Sequence, residues 1–142
     1  MSYIQLDEAN TIIAAAFEKG ADLGLKPLSA VVVDAGGHCI AFQRQNGTSF
    51  GRYQIAQGKA AGALALGVSS RKIGGMAEDR PWFVGAFAAS APHPVIPTAG
   101  GVIVVDASGT AIGAVGVTGD TSDNDELAAL AGIAAAGLTA QA

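Results

Sequence analysis

One nine-position pattern, V-V-D-A-x-G-x-x-I, occurs twice in this chain, half a chain length apart. Val32-Val33-Asp34-Ala35-Gly36-Gly37-His38-Cys39-Ile40 aligns with Val104-Val105-Asp106-Ala107-Ser108-Gly109-Thr110-Ala111-Ile112. Each copy reads as two strands around a tight turn. Asp accepts bonds from backbone N–H groups just ahead of it, and Gly supplies the positive φ that such turns need. Shared turn chemistry is enough to explain the likeness of the two segments. Two hairpins impose a mostly antiparallel sheet, which helices must then cover, and they exclude a Rossmann-type parallel arrangement.

The segments between the hairpins change period. Residues 5–24 repeat apolar side chains at helical spacing (Leu6, Ala9, Ile13, Ala16, Phe17, Leu23), with Gly24 and Pro27 as stops. Residues 50–67 predict a second helix, and 70–82 a third, with Pro81 where one helix must end or another begin. The strands are expected over 29–44 and over 102–106 with 110–118. A final helix is expected over about 123–138, capped by Ser122 with Asp125 three residues on. The reading is therefore α/β in the α+β sense, in the order α-β-β-α-α-β-β-α.

The 142 residues make one domain, long enough to bury a core without metal or disulfide staples. Half of them are hydrophobic and 14% are charged, which excludes disorder. A net charge of −4 argues against a nucleic-acid partner, because no basic excess exists to displace counterions from phosphates. Apolar stretches are interrupted before they reach membrane-spanning length, and the first residues carry neither a basic nor an apolar leader region. The expectation is a cytoplasmic protein with no membrane partner. The single Cys39 excludes an internal disulfide and a Cys-only metal cluster, and on a strand it reads as a buried structural thiol.

Charge is unevenly spread. Residues 44–80 hold six basic side chains (Arg44, Arg52, Lys59, Arg71, Lys72, Arg80) against two acidic ones, Glu78 and Asp79; the remainder holds two basic and ten acidic. A basic middle in an acidic chain points to a local anion site. Arg52 and Lys59 are seven apart on a helix, hence on one face and about 10.5 Å apart along its axis. Arg44 ends a strand just before that helix, so cations and a helix N-terminus could hold one or two carboxylates. The competing reading is a solvated, charged helix face.

Other constellations carry less. Gly113, Gly116 and Gly119 precede a helix, but without a dinucleotide fingerprint or a phosphate-loop lysine. They are expected to allow close packing, and Asp120, Asp123, Asp125 and Glu126 to complement the helix dipole. His38 beside the first turn and His93 between Pro92 and Pro94 lack the spacing of a zinc site. Trp82, Phe83 and Phe87 are read as core, with the roof of a pocket as the alternative.

Val32 to Arg44 with Gln45-Asn46-Gly47, then Ile55-Ala56-Gln57-Gly58-Lys59-Ala60, Gly100-Gly101-Val102, and Ile112 to Gly119 ahead of Asp125-Glu126, together resemble the GlcG/HbpS-like, haem-degrading-domain family over nearly the whole chain. The resemblance implies a profilin-like fold, an antiparallel sheet flanked by helices, assembled as dimers or larger homo-oligomers. It implies the company of catabolic enzymes or haem sensing. By motif it transfers Arg44, Lys59, Gly100, Gly101, Gly116 and Gly119 as site positions. Relatives often read R-M-D-G where Arg44-Gln45-Asn46-Gly47 stands, so an amide replaces a carboxylate, and they commonly have Pro where Ile103 follows Gly-Gly-Val.

Two functions follow. The first is a small-ligand-binding accessory protein taking haem or another carboxylate-bearing molecule. In that reading Arg44, Arg52 and Lys59 pair its acid groups, and His93, Thr98 or His38 lies near the iron. The alternative is a small isomerase, tautomerase or lyase on an oxo- or hydroxy-acid, anchored by Arg44 and Lys59. A purely structural self-assembling protein is the third class.

Overall fold

The computed structural model describes residues 2–142. Helix α1 (Leu6–Leu23) is followed by β1 (Ser29–Asp34) and β2 (Cys39–Arg44), then by α2 (Arg52–Leu66), α3 (Ser70–Asp79) and α4 (Pro81–Ser90). The second half adds β3 (Gly101–Val105), β4 (Ala111–Thr118), α5 (Ser122–Ala135) and the two-residue β5 (Thr139–Ala140). Every strand pairing is antiparallel, in the order β2-β1-β4-β3-β5. The two hairpins thus lie side by side, joined through β1 and β4.

The run Val31-Val32-Val33 is buried on both faces because β1 is central and covered above and below. Ala30 and Val32 join Ile12, Ile13 and Ile133 under α1 and α5, while Val31 and Val33 face Ala56 and Ala60 of α2. Small residues set the spacing of the layers: a side chain at Gly132 would strike the backbone oxygen of Ile12, so α5 lies tightly on α1.

Four expectations need correction. Arg80 leaves helical geometry (φ −137°, ψ 69°) and Pro81 opens a separate α4, as its fixed φ and missing N–H favour. That helix packs against α3 and buries only Val84; Trp82 is 71% exposed and Phe83 and Phe87 are half-buried, so they are not core. The cap of α5 is Thr121, whose hydroxyl accepts from Asn124 N at 3.3 Å, whereas the Ser122 hydroxyl meets that of Thr98 at 2.6 Å. Cys39 is exposed, because β2 is an edge strand that α2 barely covers. No helix among the described residues is long and apolar enough to cross a membrane.

Candidate functional site

The sequence-predicted site residues divide among three places along α2. The helix lies over β1, β4 and β3, its start above Thr118 and its later turns beside the first hairpin turn.

At its start, Arg52 Nη1 donates to Thr118 Oγ1 at 2.9 Å. Thr118 and Arg44 both sit opposite Ser29, on either side of it, so Arg44, Ser29 and Thr118 form a row across three strands on the α2 face. The expected meeting of Arg44 and the helix N-terminus therefore occurs. A cleft of about 240 Å³ opens there between Lys26, Gly47, Thr48, Ser49, Arg52 and Gly119.

In the middle of α2, Lys59 is buried at 1% exposure. Its ammonium donates to Val117 O at 3.0 Å and to Asp125 Oδ2 at 3.1 Å. Burial pushes the Lys59 pKa below its ordinary 10.5, against the pull of Asp125, and the nearby Arg52 charge adds to the depression. Asp125 is thus more than a helix-end charge: its second oxygen takes Asp120 N at 2.9 Å, and it locks α5 to α2 through the sheet. A solvated or ligand-facing Lys59 is ruled out in this arrangement. Gly100, Gly101 and Gly116 surround the same crossing, where added side chains would meet Lys59 or the backbone of Ala56. Gly119 presses on Pro27 in the same way. These four glycines admit the helix to the sheet rather than contacting a ligand.

Beyond that crossing lies the first hairpin turn. The loop 91–99 straps across α2, with Val95 on Gly62 and Ile96 on Gly58, and delivers His93 onto Gly37. His38 and His93, 55 positions apart in sequence (38 to 93), stack edge to face with centroids 5.8 Å apart. Gln57 Nε2 donates to Gly37 O at 2.8 Å, while its Oε1 is buried with no partner. Farther along the open side of β2, Phe42 and Tyr53 form a second edge-to-face pair at 4.8 Å. Among the described residues no three His, Cys, Asp or Glu side chains converge as a metal site.

The histidines and the arginines do not share a pocket. Five strand steps of β1, roughly 16 Å, separate the Ser29 row from the turn. Thr98 belongs to neither place: it lines a third cleft with Arg71, Gly74, Glu78 and Ser122. The Lys59–Asp125 pair, the histidine pair and the Ser29 row had no local signal in sequence, since each joins distant segments.

The family model described as haem degrading protein HbpS-like matches residues 4–134. No curated protein matches the chain. Among solved structures, HbpS is 27% identical with a TM-score of 0.80, covering 94% of this chain and 90% of its own. Protein ORFY of Klebsiella pneumoniae is 25% identical with a TM-score of 0.85, covering 96% and 93%. The PduOC:haem complex superposes with a TM-score of 0.86 over 99% of this chain and 100% of that one, and at 20% identity this likeness is one of fold.

Proposed function

This chain belongs to the HbpS-like haem-degrading protein family, and on that footing we propose that it is a haem-binding accessory protein whose iron ligand comes from the His38–His93 pair. The observation that carries the reading is the delivery of the chain's two histidines to one exposed turn, 5.8 Å apart. Imidazole is a common axial ligand of haem iron. The glycines beneath the pair leave room: Gly36 lies under His38 and Gly37 under His93. The PduOC:haem structure, alike in fold, supports the ligand class.

The fit is to the iron rather than to the whole macrocycle. Arg44 and Arg52, expected to pair acid groups on the same ligand, stand at the far end of β1, so haem bound at the turn keeps its carboxylates away from them. When bound, haem would supply a redox-active iron. The protein's part is to hold the two rings: Gln57 anchors the turn through Gly37 O, and the strap carrying His93 is pinned by Ile96 N donating to Gly58 O at 3.2 Å. Exposed Trp82 on α4 favours assembly with further copies, which light scattering checks as a mass above that of one chain.

Haemin titration followed in the Soret region tests the proposal. Saturable binding is expected, abolished in His38→Ala/His93→Ala and kept in Arg52→Gln. An unshifted spectrum, or a double variant that binds as the wild type does, overturns it.

A further inference from the structure

The start of α2 carries donors with nothing to give to. Arg52 is half-buried, spends one N–H on Thr118, and has no carboxylate within 4.0 Å among the described residues. Gly51 offers no side-chain cap, and the first turn of α2 holds no acid. Two hydroxyls beside it are orphaned. Thr48 Oγ1 lines the cleft and is buried without a hydrogen-bond partner. Ser29 is wholly buried, its Oγ also unpartnered, and it lies on the α2 face directly across from the Thr118 that holds Arg52.

Buried polar groups are nearly always paired, so two orphan hydroxyls beside one under-used guanidinium call for an acceptor. Charge agrees. Arg52 and Lys59 are close enough to repel, and only Asp125 balances them, its oxygens already engaged by Lys59 and Asp120 N. The other carboxylate at the rim, Asp120, is equally occupied: Lys26 N donates to one oxygen at 2.9 Å and Asn124 Nδ2 to the other at 2.8 Å. What is missing is a negative oxygen from outside the chain.

We infer that this cleft binds a small oxyanion, a carboxylate or a phosphate group, held by the Arg52 guanidinium with the Thr48 and Ser29 hydroxyls as neutral donors. The guanidinium fork matches either anion, and the helix N-terminus adds a positive partial charge. A cleft of about 240 Å³ admits a small acid and excludes a macrocycle. The site is therefore separate from the haem reading and does not depend on it.

The test is calorimetric titration of the full chain with sodium acetate and, separately, with inorganic phosphate, against sodium chloride at matched ionic strength. Saturable binding of either anion is the expected result, and the anion that binds names the source. Arg52→Gln should weaken it by at least about tenfold, as loss of a charge-assisted pair does. Thr48→Val and Ser29→Ala should each weaken it by roughly fivefold, with His93→Ala at wild-type affinity. Thr48→Val removes only a hydroxyl at the rim, so it reports even if Arg52→Gln misfolds. Binding no different from chloride overturns the inference, as does wild-type affinity in a folded Arg52→Gln or in both hydroxyl variants.

Discussion

The hairpins β1–β2 and β3–β4 are built alike and used differently. Each takes a bulge at the same step, between Val32 and Val33 in one and Val104 and Val105 in the other. Each closes with matching bonds: Asp34 N to His38 O and Gly37 N to Asp34 O, against Asp106 N to Thr110 O and Gly109 N to Asp106 O. Gly37 and Gly109 both adopt φ +85°. The surroundings part them. Gly37 is buried beneath His93 and Ala61, while an added carbon at Gly109 would meet nothing within 4 Å. Local sequence makes the turn, and α2 with its strap makes one turn a site.

If α2 is what distinguishes the turns, the sharpest break is at its clamp. Asp125→Ala strands the buried Lys59 ammonium and should cost about 3–5 kcal/mol in urea unfolding. Replacing both partners, Lys59→Met with Asp125→Leu, should cost clearly less than the single change, because no buried charge remains. Equal losses would show that the pair is not what holds the helix. The pair also sets a pH dependence. Lys59 is depressed in the folded chain relative to 10.5, so folding releases protons; its contribution disfavours the fold below the lowered value and recovers as pH climbs from there to 10.5. Lys59→Met should abolish that rise in stability.

A smaller effect separates the turns themselves. Gly109→Ala carries only the strain of a positive φ, about 1 kcal/mol. Gly37→Ala adds a contact 3.0 Å from His93 Nε2 and 3.3 Å from Ala61 Cβ, for about 2–3 kcal/mol in all. It should also weaken haemin binding, which Gly109→Ala leaves intact. Matching losses of stability and binding in the two variants would erase the distinction between the hairpins.

The same contrast marks how far the sequence could be read. Both turns, both bulged hairpins and the helices covering them follow from Asp-Gly spacing and apolar periodicity, which act within a few residues. Pro81 signalled a boundary, yet whether it closed α3 or opened α4 depended on Arg80 leaving helical geometry. β5 has two residues and no period to detect; Val104 and Val105 recruit it through the tertiary fold. Lys59 looked like one more cation on a polar face, because the carboxylate that neutralises it stands 66 positions away (59 to 125). Thr121 and Ser122 are both good caps, and packing against Thr98 decided between them. The basic middle of the chain was legible as charge, but its division into a buried clamp and an open cleft was set by which side of α2 meets β4.

The smallest predicted effect concerns the one substitution inside the turns that alters their electrostatics: Ser108 stands where the first hairpin has Gly36. Asp106 Oδ1 accepts from Ser108 Oγ at 2.7 Å, Ser108 N at 2.9 Å and Thr110 N at 3.0 Å, whereas Asp34 Oδ1 accepts only from Gly36 N and His38 N, both at 3.0 Å. The Ser108 hydroxyl is the leading cause that holds the Asp106 carboxyl below its ordinary 3.8, with the backbone bond from Thr110 next. A depressed carboxyl stabilises the fold fully above 3.8 and loses that contribution as pH falls through its lowered value. Ser108→Gly should therefore move the Asp106 titration back toward 3.8 and shrink that window, read from the side-chain carboxyl carbon by NMR. An Asp106 midpoint unchanged by Ser108→Gly would mean that backbone N–H groups alone hold the charge, and that the two turns are electrostatically the same device.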